Sequence, residues 1–356
     1  MPNWRKFRPV DWALLVIAMF MPFLPLVDHN GGHLTVLVNA GVYMMLAIGL
    51  NIVVGFAGLL DLGYAAFFAI GSYTYAMVAS PQFGLHFSFW PMVLMSAFVA
   101  ALFGIILGAP TLRLRGDYLA IVTLGFGEIV PQTFLNLQKF TGGPNGISAI
   151  DQPKLFGYHF GLNPLPYYYL VLVLLAVSLF LANNLRTSRL GRAWMAIRED
   201  EIAAAHMGIN TTTTKLAAFS LGASFSGLSG VVNASLLTLV SPDQFKFNVS
   251  ITVLSMLVLG GMGSLPGVVI GSAALSILNF WLLPEANNLA AMVGVHIDFT
   301  QYKFMLYGII LVVVMLFKPE GLYGSEQRKA ELKERGTSVA AEENAEYEEM
   351  PRETVL

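Results

Sequence analysis

RTSRLGRAWMAIREDEIAAAHMGIN, residues 186–210, is a charged, helix-prone insert between two long apolar regions. Arg186, Arg189, Arg192 and Arg198 fall within thirteen residues, and Glu199, Asp200 and Glu201 follow at once. The chain before it, from Asp11, and the chain after it, to Phe317, read as membrane. A charged helix of this length cannot sit in hydrocarbon, so it protrudes on one side. Its arginine density assigns that side to the cytoplasm. Thr187 or Ser188 can cap it, and we expect one helix over 193–207, stopped at Gly208. Trp194, Ile202 and Ala205 share a side that Arg198 and Glu201 interrupt. A helix lying on lipid keeps its apolar face clean, so this pattern suits a protein groove better. The plainer alternative is a basic loop that only sets topology.

Composition agrees. Apolar residues are 56% of the chain and charged residues 12%, with a mean hydropathy of +0.65. Soluble domains carry about 25% charged residues, so the fold class is an all-α, polytopic membrane protein. The formal charge of −2 hides an acidic tail: nine glutamates and five Lys/Arg follow Gly324. Residues 324–356 read as a cytoplasmic tail with a short helix over 326–335 and then disorder. Within apolar segments only Asp61 and Glu128 are acidic. With no cysteine, thiol chemistry and Cys-ligated metals are excluded. We expect no catalytic residues, no metal site, no cofactor and no nucleic-acid partner.

Segments of about 17 to 25 apolar residues are the expected spans. Ten are found within 11–323, at 11–27, 34–54, 58–80, 88–110, 118–137, 167–183, 215–239, 249–261, 265–283 and 303–317. Residues 1–10 form a cytoplasmic N-terminus preceding a retained first span. Ten spans return the chain to its starting side. The inner side then holds sixteen basic residues, Arg5, Lys6, Arg8, Arg113, Arg115, Lys215 and Lys318 among them. The outer side holds Lys139, Lys154, Lys246 and Lys303. That imbalance fits the positive-inside bias. The longest outer loop, 138–166, is rich in Gly, Pro and Asn and reads as irregular. VVGFAGLLDLGYAAFFAIGS (53–72) and VLGGMGSLPGVVIGS (258–272) share a glycine-rich break followed by an apolar segment ending in Ile-Gly-Ser. Either they are related halves of a transporter, or their small residues simply let helices pack closely.

EIAAAHMGI (201–209) looks like the Glu-Ala-Ala…Gly signature of permease subunits in ATP-binding-cassette importers. GLLDLGYAAFFAIGSYTYA (58–76), LRLRGDYLAIVTLGFGEI (112–129), TGGPNGI (141–147) and VLGGMGSLPGVVIGS, in that order, resemble the LivM-type branched-chain amino-acid permease family. The likeness runs from about Leu34 to Gly324. It implies that the insert is a coupling helix docking on an ATPase subunit, with Glu201, Ala204, Ala205 and Gly208 carrying the signature and Arg198 beside them. Ile202 departs from it, standing where the signature has alanine. The resemblance further implies a LivH-type permease as heterodimer partner, two ATPase subunits, and a periplasmic or lipid-anchored binding protein. ATP would be bound by those partners, since this chain has no G-x-x-x-x-G-K-[ST] motif. The substrate implied is leucine, isoleucine or valine, crossing the bacterial inner membrane; related permeases carry urea or other amino acids.

The candidate translocation path comprises Glu128, Asp61, Asn51 and Asn233. A carboxylate near mid-bilayer is costly and marks function by default. Glu128 lies ten residues into its segment, and Pro131 frees the Gly127 carbonyl nearby. The pair could line a wet path, or Glu128 could be a protonated glutamate hydrogen-bonded between helices. Asp61 reads best in the first turn of a helix, where the dipole favours it. Asn51 and Asn233, like Asn39, also fit as interhelical glue. GLSG (227–230) resembles an intramembrane serine-protease motif, but with every histidine in a loop or the insert no base is near Ser229, and small-residue packing explains it better. Two other classes stay open: a proton-coupled secondary transporter using Glu128 or Asp61, and a membrane scaffold. Reporter fusions after Gly324 and within 142–163 are expected to report opposite faces of the membrane; matching sides would refute the ten-span topology.

Overall fold

The computed structural model describes residues 32–111, 116–155, 157–161, 163–292 and 298–324. The expected span 11–27, the basic residues Arg5, Lys6, Arg8, Arg113 and Arg115, and the tail helix 326–335 lie outside the described residues. The other nine expected segments are helical: α1 (Gly32–Leu50), α2 (Ala65–Val78), α3 (Phe89–Thr111), α4 (Asp117–Asn136), α5 (Pro164–Thr187), α8 (Thr211–Leu237), α9 (Phe247–Gly260), α10 (Leu265–Ile277) and α12 (Lys303–Phe317). The insert forms α6 (Arg189–Glu199) and α7 (Glu201–His206), and α10 continues through a π-turn into α11 (Leu283–Met292). Six helical stretches are long and apolar enough to cross a membrane: Gly32–Phe56, Phe89–Thr111, Asp117–Asn136, Pro164–Thr187, Thr211–Leu237 and Leu265–Met292. The protein is a polytopic all-α membrane protein.

α8 is the axis of the bundle, with α1, α2 and α3 packed on it. Its sequence explains why. Hydrocarbon gives helices no hydrophobic reason to associate, so association depends on close backbone approach. α8 carries small residues at Gly222, Ala223, Ser226, Gly227, Ser229 and Gly230, all buried. A Cβ on Gly71 of α2 would come within 2.4 Å of the Gly227 Cα, and one on Gly104 of α3 within 2.9 Å of the Phe219 carbonyl oxygen. Tyr64 OH donates to the Gly222 carbonyl at 2.9 Å, and Ser72 Oγ to the Gly230 carbonyl at 3.1 Å. Ser229 Oγ donates to the Phe225 carbonyl one turn back, at 2.9 Å. GLSG is thus a packing surface.

The expected span 58–80 departs most from its helix, which begins only at Ala65. α1 ends in a π-turn over Asn51–Phe56, and 57–64 is irregular. Such backbone is tolerated at membrane depth only when buried in protein, and Ala57, Leu59, Asp61, Gly63 and Tyr64 are buried. The second glycine-rich break, 261–264, joins α9 to α10. It turns through Gly261 (φ +114°) and Gly263 (φ +82°), and Ser264 then caps α10 by accepting from Gly267 N at 3.2 Å. The two breaks meet: Gly263 N donates to Asn51 Oδ1 at 2.9 Å. The chain after α12 folds back onto the same place, with Leu322 N and Tyr323 N donating to the carbonyls of Leu259 and Gly260.

At the opposite end, TGGPNGI turns through three glycines with positive φ, Gly142, Gly143 and Gly146. It leads Ile147–Ser148 into a two-residue antiparallel pairing with Leu239–Val240, just beyond α8. Lys154–Leu155 and Tyr158–His159 form a second small hairpin within the irregular outer loop.

Gly71→Leu is expected to destabilise the bundle by roughly 3 kcal/mol, because overpacking meets backbone that cannot yield. Gly308→Leu on α12, where a Cβ meets nothing within 4 Å, is the matched control. Thermal unfolding in detergent reads the difference; equal midpoints would deny α8 its role as axis.

Candidate functional site

The insert is built on two caps. Ser188, in extended conformation, accepts from Gly191 N at 3.2 Å and starts α6. Asp200, with φ −153°, breaks the helix, and its Oδ1 accepts from Ile202 N at 2.8 Å and Ala203 N at 3.0 Å to start α7. The single helix expected over 193–207 is therefore two, because an Asx cap competes with helix continuation. Gly208 provides the expected stop, with φ +84°.

α6 is bolted to the membrane domain. Trp194 is fully buried and donates Nε1–H to the Thr214 carbonyl at 2.8 Å. Ile197 is buried beside it. Arg198 lays its stem across Gly58 and donates to the Gly55 carbonyl at 2.6 Å, at the end of the π-turn of α1. The charged group thereby satisfies a carbonyl that the helix leaves open. Glu201 is engaged within the chain: Lys215 Nζ donates to its Oε1 at 2.6 Å. The Lys215 side chain is 5% exposed and that of Glu201 27%. Ala204 is buried against the insert's own scaffold, while Ala205 is exposed. Ile202 (58% exposed) and Met207 (83%) extend this open face. Trp194 and Ile202 therefore do not share a side, since the break at Asp200 turns α7 away from α6.

The path candidates are not gathered into one cluster. Asn51 is fully buried and joins the two breaks; Gly55 makes room for it, since a Cβ there would lie against Asn51 Oδ1. Its side-chain oxygen thus links two elements of this chain. Asp61 is not in the first turn of α2. It lies four residues ahead, 2% exposed, with Oδ1 accepting from Gly63 N at 2.9 Å. Next to it Thr123 Oγ1 of α4 accepts from Leu62 N at 3.1 Å. Asp61, Thr123, Phe126, Phe67 and Phe219 line a small cavity. Asn233 is half-buried on α8, and Glu128 is exposed on α4. Among the described residues nothing hydrogen-bonds the Glu128 carboxylate between helices, so the interhelical reading does not hold within this chain.

Sequence reasoning missed three contributors. Lys215 sat among topology-setting charges, but it is the buried partner of Glu201, fourteen residues away and invisible to any helical period. Asp243 and Lys246 form an exposed pair at 2.8 Å where α9 begins. Hydrogen bonding to Asp243, together with its charge, holds the Lys246 ammonium above its ordinary range, and the more distant Glu128 carboxylate adds to this. His86 Nδ1 and Asp151 Oδ2 meet at 2.6 Å and tie the 138–166 loop to the α2–α3 connection.

The chain is a polytopic helical bundle with two paired glycine-rich breaks and a firmly held charged insert, and the comparisons assign it to a class of membrane permeases. The family model described as "Branched-chain amino acid transport system / permease component" matches residues 32–315, and the chain belongs to that family. It is 41% identical over 343 residues to the high-affinity branched-chain amino acid transport system permease protein LivM of Salmonella typhimurium, covering 90% of this chain and 76% of that one. LivM of Escherichia coli is equally similar, at 41% over 343 residues. The permease LivH of Escherichia coli is 24% identical over 300 residues, covering 79% of this chain and 91% of LivH. These relatives are transport permeases, not enzymes. No solved structure matches the chain.

Removing Glu201 leaves Lys215 as an uncompensated, nearly buried charge. Glu201→Ala is expected to cost about 1 to 3 kcal/mol, the exposure of the glutamate reducing the penalty of a fully buried pair. The double variant Glu201→Leu, Lys215→Met should recover most of it. Thermal unfolding of these proteins beside Glu201→Leu alone and Lys215→Met alone checks this, and additive losses would mean that the pair carries no coupling.

Proposed function

We propose that this chain is one permease subunit of an ATP-binding-cassette importer that carries leucine, isoleucine or valine across the bacterial inner membrane, both of its termini in the cytoplasm. A LivH-type permease forms the other half of the pathway. Two ATPase subunits bind and hydrolyse ATP, and a periplasmic or lipid-anchored binding protein delivers the amino acid. The observation that carries this reading is the mounting of the insert. α6 is fixed by Trp194 to α8 and by Arg198 to the break in α1, while Ile202, Ala205 and Met207 of the α7 region stand open. A contact that transmits force needs such a firm base and a free docking face. The names of the relatives support the substrate class and the pairing of two related permeases.

The proton-coupled alternative draws on Asp61, whose Oδ2 is buried without a hydrogen-bond partner among the described residues. It requires uptake that survives ATP depletion and collapses with an uncoupler; the proposed importer behaves in the opposite way.

A β-branched residue at Gly208 would strain a left-handed position by roughly 1 to 2 kcal/mol, and a charge at Ala205 would enter the docking face. Gly208→Val and Ala205→Glu are expected to remain inserted and paired with the second permease, yet to lose ATPase binding and uptake. Co-purification of the ATPase subunits, beside a control change at Thr212, is the measurement. Full recovery of ATPase by both variants would reduce the insert to a topology-setting loop.

A further inference from the structure

α4 presents polar side chains at the bundle surface. Of its exposed residues, Ile121, Gly125, Glu128, Ile129, Gln132 and Asn136 recur at helical spacing, with Asp117, Tyr118 and Thr133 exposed as well. Half of those at helical spacing are strongly polar. The exposed face of α3, by contrast, presents Leu94, Phe98 and Ile105, and that of α12 presents Ile309, Val312 and Leu316. Those two faces suit lipid. A stripe of carboxylate, carboxamides and glycine along one span does not, because polar side chains in hydrocarbon turn toward protein or water.

The glycines of LGFGEI divide their work accordingly. Gly127 faces inward, where a Cβ would lie 2.9 Å from the Gly63 Cα, and seats α4 on the bundle. Gly125 faces outward, with nothing within 4 Å of an added Cβ, and leaves the stripe open at that point. Glu128 stands eight residues from the outer end of α4, so about 12 Å below it at 1.5 Å per residue. α4 touches the Pro242–Phe245 turn and α9, and Lys246 joins those two. The stripe therefore has a carboxylate along its length and an ammonium beside it. Among the described residues Lys246 is ion-paired with the exposed Asp243, and an exposed ion pair gives up its partner at little cost.

Resting on the permease reading above, we infer that this stripe is one wall of the translocation path, and that Glu128 and Lys246 receive the ammonium and the carboxylate of a zwitterionic amino acid in turn, at successive points along that wall. The second permease supplies the facing wall. Gln132 and Asn136 offer donors and acceptors to a solute between those two charges, and Ile121 and Ile129 flank the stripe with aliphatic surface for a branched side chain. The arrangement favours solutes carrying both charges over branched acids or amines carrying one.

Because the chain has no cysteine, each introduced cysteine is its only thiol. In the assembled importer in membranes, Gln132→Cys and Gly125→Cys should react with a water-soluble maleimide at least tenfold faster than Phe98→Cys on the lipid face. Their rates should change when binding protein, leucine and ATP are supplied together. Glu128→Gln and Lys246→Gln should each lower leucine uptake at least tenfold while the subunits still co-purify, and Glu128→Asp should retain more uptake than Glu128→Gln. Equal labelling of the stripe and lipid-face cysteines, or normal uptake by both charge variants, would overturn the inference. Should a charge variant fail to assemble, the labelling contrast decides alone. Leucine uptake by the wild type with silent variants sinks this inference only. Absence of leucine uptake by the wild type sinks the functional reading, and the zwitterion assignment with it.

Discussion

A helix that stops inside a membrane protein leaves amides and carbonyls that hydrocarbon cannot solvate. This chain stops helices twice, at 57–64 and at 261–264, and much of its architecture follows from satisfying those ends. Asn51 reaches across to Gly263 N. Arg198 comes up from the insert to the Gly55 carbonyl. Residues 322 and 323 return to cap the carbonyls of Leu259 and Gly260. Asp61 turns back on Gly63 N. Each of these polar groups finds its partner on another element or across a turn, so the breaks act as junctions. The close packing of α8 through glycine and serine then holds the junctions at one end of a bundle that has little hydrophobic force of its own.

The span pattern was legible because hydropathy over about 20 residues is a strong signal. Nine of the ten expected segments are helices, and the one that departs most, 58–80, does so where glycine and aspartate follow each other. Gly58 and Gly63 permit the irregular backbone there, and Asp61 favours a local turn over a helix start. The same chemistry split the insert: Asp200 was read as one charge among several, but its side chain caps the next helix. Gly208 was readable because a left-handed stop after an alanine-rich turn has few alternatives to glycine. The partners of Glu201 and Arg198 were not readable. Lys215 and Gly55 lie fourteen and more than a hundred residues away, and no period connects residues that meet only through tertiary folding. Glu128 was recognised as unusual, but its direction, outward from the bundle, depends on how Gly127 seats α4 against Gly63.

The insert illustrates how one short segment serves two surfaces. Its first half faces the membrane domain, with Trp194, Ile197 and Arg198 buried or engaged. Its second half keeps Ala204 and Glu201 turned toward the scaffold and leaves Ile202, Ala205 and Met207 outside. Of these residues, Glu201 and Ala204 hold the α7 region in place, Ala205 is exposed, and Gly208 returns the chain to α8. Substitutions at these four positions would disturb the insert for different physical reasons.

The hydrogen bond between Asn51 and Gly263 has a mechanical meaning. Arg198 grips Gly55, and Asn51 and Gly55 belong to the same π-turn. A displacement of α6 thus reaches the break in α1 directly and the break between α9 and α10 one hydrogen bond later. Neither break can shift far without either dragging the other or stranding buried amide groups. Moving one break alone therefore costs a buried hydrogen bond between them.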